Sequence, residues 1–390
     1  MPHQHHFATR AVHAGREDFA ELCVHAPPLD LSTTYPVQDL AVGEQSFDAL
    51  VGGAADAANP IYARLHNPTV ARTERALAEL EGTDACVAYG SGMAALSAVL
   101  LAQSTHGRHV LVVRPLYGTS DHLLASGLLG IEAEFIEADE VASKKRADTS
   151  LVIIETPANP TLDLVDIRAV VAAAGDVPVL VDSTFATPVL QRPAEMGASY
   201  VLHSATKFLG GHGDVIAGVV MTSEDLAKPL RTMRAATGAL LHPLAAYLIH
   251  RGLSTLEMRV ERAQANAIVL AEKLSQHPAV KTVHFPGLGT VKNAHLAKTQ
   301  MAGPGCLMAI DLVGGHAAAA AVMRKVKLMT PAVSLGSVDT LIQHPAGLTH
   351  RVVDAETQAK IGITPGMLRL SVGIEHVDDL WADLAQALDD

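Results

Sequence analysis

The sequence predicts an α/β protein with a mostly parallel sheet, followed by a smaller α+β domain. Short apolar runs typical of buried strands recur between residues 61 and 220, and helix-like segments separate most of them. After about residue 255 the pattern changes to longer helices and fewer strands. Since alternating strands and helices build parallel sheets, we expect the first part to be a parallel sheet covered on both faces.

The predicted elements follow one another in a regular order. The strands of the first part are Val110–Val113, Ala133–Ile136, Leu151–Ile154, Val177–Val181, Tyr200–Leu202 and Val215–Val220. Its helices include Thr69–Glu81, Gly92–Gln103 and Ile167–Ala174. The second part contains the helix Leu256–Gln276, the strand Leu307–Leu312, the helix Gly315–Val326, the strand Met367–Ile374 and the helix Val377–Leu388. Ligands of such parallel sheets bind at the carboxyl ends of the strands.

The first 60 residues differ from the rest because they have little periodicity. Turn-forming pairs such as Pro27–Pro28 and Gly52–Gly53 interrupt them, which favours an extended arm. An arm that cannot bury its own apolar residues is expected to pack on a neighbouring subunit. We therefore divide the chain into an arm (1–60), a large α/β domain (61–255) and a C-terminal α+β domain (256–390).

Composition narrows the classes of function. The 390 residues include 29 basic and 41 acidic side chains, a formal charge of −12, which disfavours nucleic acids and anionic membranes as partners. No run of 18 apolar residues predicts a membrane span. The three cysteines are too widely spaced for a disulfide framework or a metal site, so we expect no metal and a reducing cytoplasm.

The most informative motif is Ser204–His212, which reads Ser-Ala-Thr-Lys-Phe-Leu-Gly-Gly-His. It places Lys207 between a predicted strand and a glycine-rich turn, where an amine can bond covalently to an aldehyde cofactor. The hydroxyls of Ser204 and Thr206 can bind a phosphate beside it. These groups together suit pyridoxal 5'-phosphate (PLP). The alternative is an ordinary exposed lysine.

Two further positions strengthen the cofactor hypothesis. Asp182 ends the predicted strand Val177–Val181, where a carboxylate can face the pyridine nitrogen of PLP and keep it protonated. Alternatively, Asp182 caps the next turn. Gly92 lies in a glycine turn before a predicted helix, and the free amides of a helix N-terminus bind phosphate.

The remaining candidates are aromatic or cationic. Tyr117 follows a strand and can place its ring on the cofactor, although one tyrosine can also simply pack. Tyr62 and Arg64 precede a predicted helix and offer a phenol and a guanidinium for a phosphate. Arg369 lies inside a predicted strand and needs a partner, which is either a substrate carboxylate or an internal acid.

Taken together, these motifs resemble the Cys/Met-metabolism family of PLP enzymes, which includes cystathionine synthases and lyases, methionine γ-lyases and homoserine-ester sulfhydrylases. The resemblance extends over nearly the whole chain and in order. The matching segments are Thr9–Gly15, Tyr62–Arg64, Asn67–Thr69, Ser91–Ala95, Glu155–Pro160, Asp182–Phe185, Ser204–His212, Ser334–Gly336, His344–Ala346 and Arg369–Glu375.

The resemblance implies the fold and assembly of PLP-dependent transferases of fold type I, which resemble aspartate aminotransferase. A seven-stranded sheet and a homotetramer built from two active dimers are expected. The resemblance also implies roles for particular positions. Lys207 would carry the cofactor, Asp182 would bind its nitrogen and Tyr117 would stack on its ring. Its phosphate would be bound by Gly92, Met93, Ser204 and Thr206, and by Tyr62 and Arg64 of the neighbouring subunit.

For the substrate, the resemblance implies that Arg369 binds the carboxylate with help from Ser334 and Asn159. In the reaction, Lys207 would move the Cα proton and Tyr117 would act as general acid for the leaving thiol.

Departures from the family pattern bear on the substrate. Val333 stands where cystathionine enzymes commonly carry glutamate, His122 where they tend to carry arginine, and Ile61 where a polar residue is common. The far end of the pocket is therefore predicted to be less charged, which suits a methyl thioether better than a second amino acid. Ser199 and Gly213 also depart from the pattern, but they look peripheral to the chemistry.

Two other positions depart from the pattern of methionine γ-lyases and therefore argue against a methionine substrate. Methionine γ-lyases often carry cysteine where Thr119 stands, and a lysine–aspartate pair where Arg234–Ala235 stands. We predict γ-elimination of L-methionine, with Val333 beside the substrate. A cystathionine γ-lyase or γ-synthase is the first alternative and a sulfhydrylase the second. An aminotransferase, or a PLP-binding protein without catalysis, stays open because the fold is shared.

Overall fold

A seven-stranded sheet forms the centre of the computed structural model, which describes residues 5–389. Residues 1–4 and 390, the outer ends of the predicted arm and of the C-terminal domain, lie outside the described part. The strands are β1 (Ala85–Tyr89), β2 (His109–Val113), β3 (Glu132–Ile136), β4 (Thr149–Glu155), β5 (Val179–Asp182), β6 (Tyr200–His203) and β7 (Gly218–Thr222). Their spatial order is β1-β7-β6-β5-β4-β2-β3, and only β7 runs antiparallel to its neighbours. The predicted α/β fold with a mostly parallel seven-stranded sheet is confirmed.

A second sheet of five strands follows in the C-terminal part of the chain. Its strands are β8 (Val280–His284), β9 (Leu307–Leu312), β10 (Thr330–Pro331), β11 (Leu341–Gln343) and β12 (Met367–Ser371), in the order β10-β11-β12-β9-β8. Only the short pair β10–β11 is parallel.

Helices connect and cover these sheets. In chain order they are α1 (Phe7–His13), α2 (Leu40–Val51), α3 (Pro68–Glu81), α4 (Gly92–Gln103), α5 (Gly118–Ala125), α6 (Val141–Lys144), α7 (Ile167–Ala174), α8 (Thr187–Leu190), α9 (Glu224–Thr237), α10 (Pro243–Leu253), α11 (Leu256–Ser275), α12 (Leu296–Thr299), α13 (Gly315–Lys325), α14 (Ala355–Lys360) and α15 (Val377–Leu388). No helix among residues 5–389 is long and apolar enough to cross a membrane.

Local sequence signals explain where the helices begin and end. The side chain of Asn67 accepts hydrogen bonds from the amides of Thr69 and Val70, Pro68 occupies the first turn, and Gly82 ends α3 in the left-handed conformation. Ser91 caps α4 in the same way by accepting from the amide of Ala94. The N-terminus of α4 is thereby fixed directly after β1, beside the carboxyl ends of the parallel strands.

The core lies on both faces of the seven-stranded sheet because alternate side chains of a strand point in opposite directions. In β7, Val219 and Met221 belong to the cluster that continues into the five-stranded sheet. Val220, between them, belongs to the cluster under α4 and α9. Burial on both faces is what the continuous apolar runs predict for a parallel sheet.

In the five-stranded sheet, β8, β10 and β11 were not predicted. In the seven-stranded sheet, two strands differ most from the sequence prediction. The run predicted as Val215–Val220 forms a strand only from Gly218, since Ala217 is joined to Thr206 by three hydrogen bonds of 3.0 to 3.2 Å and closes the lysine loop. Strand Ala85–Tyr89 was not predicted, although all five residues are buried. Its composition, Ala-Cys-Val-Ala-Tyr, gives a weak strand signal because alanine is more typical of helices.

The first 60 residues are less extended than predicted, since α1 and α2 interrupt them. Arg10 explains why α1 packs on its own chain: its side chain is 8% exposed and donates to the carbonyl of Glu79 at 2.8 Å. Later in this segment, large apolar side chains remain exposed, including Leu31, Leu40 and Phe47.

The contact between β7 and the start of α4 yields a stability prediction. A Cβ on Gly218 would overlap the carbonyl oxygen of Ser91. We expect Gly218→Ala to lower the free energy of unfolding by about 1–3 kcal/mol and to weaken binding of PLP by moving the Ser91–Gly92 turn. Urea unfolding and titration of the apo-protein with PLP measure the two effects.

Gly238→Ala is the control, because Gly238 ends α9 with φ +71° and has open space around its Cβ position. It is expected to lose stability through backbone strain and to keep its affinity for PLP. Equal losses of PLP affinity in both variants would contradict the link between Gly218 and the turn.

Candidate active site

A cavity of about 570 Å³ lies at the carboxyl ends of β4, β5 and β6. Eleven of the thirteen predicted site residues line it: Gly92, Met93, Tyr117, Asn159, Asp182, Ser204, Thr206, Lys207, Val333, Ser334 and Arg369. They come from both sheets and from the loops between them. The cavity is therefore built at the position that the rule for parallel sheets predicts.

Lys207 is half-buried in this cavity, and its Nζ donates to Oγ of Ser334 at 2.7 Å. Burial, together with the smaller effect of the positive charge of Arg369, lowers the pKa of Lys207 from 10.5 to about 8. A larger fraction of this amine is therefore unprotonated near neutral pH than in an exposed lysine. This is the state that a nucleophile or a general base requires.

Asp182 is held by the residue two positions later. Its Oδ1 accepts from the hydroxyl of Thr184 at 2.5 Å and from the Thr184 amide at 3.0 Å. Burial raises the pKa of Asp182, whereas the hydrogen bonds from Thr184 lower it. The hydroxyl of Thr184 also accepts from the amide of Ser204 at 2.9 Å, which fixes the lysine loop to the end of β5.

A cradle of donors lies at the N-terminus of α4. The amides of Gly92 and Met93 precede the first amide that Ser91 caps, and first-turn amides have no carbonyl partner within their helix. A Cβ on Gly92 would come within 3.1 Å of the Ser204 side chain, so glycine allows the turn and the lysine loop to approach closely. Free amides, the helix dipole and the hydroxyls of Ser204 and Thr206 together suit an anion.

Arg369, in β12, connects the five-stranded sheet to the cavity. It is 2% exposed and donates to Oδ1 of Asn159 at 2.9 Å and to the carbonyl of Ser334 at 2.7 Å. Both acceptors are uncharged, and the buried Nε of Arg369 has no hydrogen-bond partner among the described residues. Burial lowers the pKa of Arg369 to about 10. A buried guanidinium without a directly bonded acid is suited to a carboxylate ligand.

Ser334 is conformationally unusual because its φ is +141°. Non-glycine residues rarely adopt positive φ, and such strain persists where the surroundings enforce it. Here Ser334 contacts both cations of the cavity, Lys207 through its hydroxyl and Arg369 through its carbonyl. Ser334 is thus held at its hydroxyl and at its carbonyl by the two side chains that the sequence assigns to catalysis and substrate binding.

Tyr62 and Arg64 are the two predicted site residues that do not line the cavity of this chain. The Tyr62 side chain is 44% exposed, and the Arg64 guanidinium packs on its ring at 5.6 Å from the centroid. Arg64 also donates to the carbonyl of Ala235 at 2.7 Å. Both side chains lie at the surface of the subunit.

Several lining residues were not predicted as site residues. Glu155 and Thr184 stand at or just after the ends of β4 and β5, so the rule that identified Asp182 also applies to them. Ile216, Leu348 and Val352 form an apolar rim with Val333, and their exposed fractions are 68%, 46%, 54% and 53%. Exposed apolar residues on loops give no periodic signal, so the sequence alone does not identify them.

The charged residues of the cavity lining are Glu155, Asp182, Lys207 and Arg369. Two positions that could have supplied another charge do not reach the cavity. His122 is exposed on α5, and Arg234 is buried in an ion pair with Glu74.

Comparison with known proteins identifies the family. The sequence profile of Cys/Met metabolism PLP-dependent enzymes matches residues 8–389. The chain belongs to this family. It is 55% identical over 382 residues to an L-methionine γ-lyase of Streptomyces avermitilis, covering 97% of this chain and 88% of the relative. It is 54% identical to an L-methionine γ-lyase of Brevibacterium sandarakinum, with 98% of each chain covered.

A solved structure gives the same family and fold. The crystal structure of cystathionine γ-synthase from Xanthomonas oryzae pv. oryzae, in complex with aminoacrylate and cysteine, superposes with a TM-score of 0.90 at 36% identity and 98% coverage of each chain. Membership of a PLP-dependent family agrees with the donors of the cavity. The cavity contains an amine, a carboxylate, an aromatic ring that can stack on a cofactor, and an anion-binding helix N-terminus. This set of groups fits PLP.

The low pKa of Lys207 predicts how the apo-protein takes up the cofactor. Only the unprotonated amine attacks an aldehyde, so the rate of covalent PLP uptake is expected to rise about tenfold per pH unit below pH 8 and to level off above it. Arg369→Met removes a positive charge and is expected to move the midpoint to higher pH. Visible absorbance of the bound cofactor follows the reaction.

Lys207→Ala is the control for this experiment and is expected to show no absorbance change from covalent attachment. A midpoint near 10.5, the ordinary value of a lysine, would contradict the effect of burial.

Proposed function

We propose that this chain is a PLP-dependent carbon–sulfur lyase that converts L-methionine and water into methanethiol, 2-oxobutyrate and ammonia. Its similarity to L-methionine γ-lyases at 53–55% identity over nearly the whole chain supports the activity. The residues of the cavity support the same reaction independently, as follows.

The observation that carries the substrate assignment is the charge balance of the cavity. The cavity has two cationic and two anionic side chains, and all four lie where the cofactor and the amino-acid group of the substrate would bind: Lys207, Arg369, Glu155 and Asp182. The rim around Val333 adds only apolar surface. A methyl thioether fits such surroundings, whereas the second ammonium and carboxylate of cystathionine would find no charged partner there among residues 5–389.

The proposed roles of the residues follow from their positions. Asp182 would hold the ring nitrogen of PLP, Tyr117 would hold its ring, and the α4 cradle with Ser204 and Thr206 would hold its phosphate. When bound, PLP supplies an aldehyde for the substrate amine and accepts the electrons released at Cα.

Side chains of the protein bind the substrate and transfer the protons. Arg369 binds the substrate carboxylate, with Asn159 and Ser334 holding its guanidinium in place. Lys207 takes the proton from Cα, and the Tyr117 hydroxyl donates a proton to the leaving sulfur. The lowered pKa of Lys207 is suited to this role, because a base poised near the working pH can both take up and return a proton.

Cystathionine γ-lyase or γ-synthase activity is the second candidate. The likeness to a cystathionine γ-synthase structure at 36% identity supports it. The methionine γ-lyases are more similar in sequence, which places methionine first.

We also propose the domain division and assembly expected from the sequence: an arm (1–60) on a neighbouring subunit, a cofactor domain (61–255), a C-terminal domain (256–390) and a homotetramer of two active dimers. The exposed apolar side chains of the arm support this assembly, as does the surface position of Tyr62 and Arg64. A cytoplasmic location is proposed because Cys23, Cys86 and Cys306 are free.

The substrate assignment is tested by the release of 2-oxobutyrate from purified, PLP-loaded protein. With L-methionine or L-cystathionine as sole substrate, we expect a higher kcat/KM for methionine and detection of methanethiol. Val333→Glu introduces a carboxylate at the rim and is expected to shift the ratio toward cystathionine by about tenfold, which corresponds to ~1.4 kcal/mol.

Val333→Gln is the control, because glutamine has nearly the same shape as glutamate but carries no charge. Preference of the wild-type protein for cystathionine would contradict the proposed substrate. An unchanged ratio in Val333→Glu would remove Val333 from the explanation.

The shared active site is tested by mixing two inactive variants, Lys207→Ala and Arg64→Ala. If each site combines Lys207 of one subunit with Arg64 of its neighbour, a mixed dimer contains one intact site. Random reassociation then restores about a quarter of the wild-type activity. Lys207→Ala mixed with Asp182→Ala is the control, and it should restore none, because both residues line the cavity of one chain. Equal activity in both mixtures would contradict the shared site.

A further inference from the structure

Glu155 is a buried carboxylate that the proposed reaction does not use. It ends β4, is 5% exposed and lines the cavity. An acidic side chain in such a position needs hydrogen-bond donors, since burying an unpaired carboxylate is costly. The donors that it has are informative, because both belong to the main chain at predicted site residues.

Each oxygen of Glu155 accepts one backbone hydrogen bond. Oε2 accepts from the amide of Tyr117 at 2.6 Å, and Oε1 accepts from the amide of Asn159 at 2.9 Å. Tyr117 begins the loop-to-helix transition into α5, whereas Asn159 lies in the loop after β4. One side chain therefore fixes two loops that approach the cavity from different strands.

The contacts continue beyond these loops. Oδ1 of Asn159 accepts from the guanidinium of Arg369, and the imidazole of His350 lies 3.2 Å from the Asn159 carbonyl. Glu155 thus connects the backbone of the aromatic residue at the cofactor site to the arginine of the substrate site. Displacing it would affect both at once.

The surroundings of Glu155 make its negatively charged form unfavourable. In the β4–β5 ladder Glu155 stands directly opposite Asp182, so two carboxyl groups share one edge of the sheet. Burial raises the pKa of Glu155 well above its usual range, and the charge of Asp182 adds to the effect. A glutamine would avoid this repulsion, but its amide nitrogen would face one of the two backbone donors. Only a carboxyl group that offers an acceptor at each oxygen satisfies both amides.

We propose that Glu155 is a positioning residue of this enzyme, which sets the Tyr117 loop and the Asn159–Arg369 pair in register with each other. The inference rests on the proposed function, since it assigns the tyrosine to the cofactor and the arginine to the substrate. Glu155 acts through its two main-chain contacts and transfers no proton to the substrate.

Glu155→Gln tests the proposal in the PLP-loaded protein. Whichever way the amide is oriented, one backbone donor loses its acceptor. Loss at Asn159 is expected to raise KM for L-methionine by about tenfold through Arg369, and loss at Tyr117 is expected to lower kcat by about tenfold or more. Movement of Tyr117 should also change the visible circular dichroism of bound PLP before substrate is added. Glu155→Asp keeps a carboxylate with two acceptors and is expected to recover part of each loss.

Asp383→Asn is the matched control. Asp383 is 7% exposed and likewise accepts from backbone amides, those of Lys327, Leu328 and Met329, but it belongs to α15 and does not line the cavity. This variant is expected to lose thermal stability and to keep the kinetic constants and the circular dichroism of PLP. Wild-type kinetics and spectrum in Glu155→Gln would overturn the proposal. So would a Glu155→Gln variant that loses only thermal stability, as the control does.

The dichroism separates this inference from the proposed function. If the wild-type protein binds PLP but releases no 2-oxobutyrate from methionine, the proposed substrate fails. The spectra of Glu155→Gln, Glu155→Asp and Asp383→Asn still decide whether Glu155 positions Tyr117, because they need no substrate.

Discussion

The burial of charge at the carboxyl edge of the seven-stranded sheet is the constraint on which the rest of the site depends. Glu155 and Arg369 are almost fully buried, while Asp182 and Lys207 are half-buried beside them. Because charged groups in such surroundings need donors or acceptors at every side, the neighbouring loops must adopt conformations that supply them. The positive φ of Ser334 is one result, since its hydroxyl and carbonyl bind the two cations.

The same constraint joins the two sheets. Arg369 belongs to the five-stranded sheet, yet one of its acceptors, Asn159, follows a strand of the seven-stranded sheet. Breaking this hydrogen bond would leave a buried guanidinium without one of its acceptors, which is costly. The apolar cluster that extends from Val219 in one sheet to Ile310 in the other also holds the two sheets together. The cavity therefore has walls from both sheets that are held together by packing and by polar contacts.

Much of this arrangement could be predicted from the sequence, and the exceptions have physical reasons. Lys207 and Asp182 follow strands with strong apolar runs, so the position of each relative to the sheet edge is determined locally. The strand Ala85–Tyr89 escaped prediction because its burial comes from neighbours distant in sequence. Ile216 and Val352 escaped prediction because loop residues converge only through the folded structure. Glu155 could have been identified by the same strand-end rule as Asp182.

Substrate selection by such a cavity depends more on the cost of placing an unpaired charge at its apolar rim than on the apolar contacts that the rim provides. Contact with an apolar rim contributes only about 1 kcal/mol per methylene group, so Val333 and its neighbours bind a methyl group weakly. An unpaired ammonium or carboxylate in the same place loses hydration that no described side chain of the lining replaces, and that cost is larger. Discrimination against a second amino acid is therefore expected to exceed discrimination among thioethers of different length. The charged groups that line the cavity do not change this balance, because Glu155 and Asp182 already accept hydrogen bonds from this chain, as Arg369 already donates to Asn159 and Ser334.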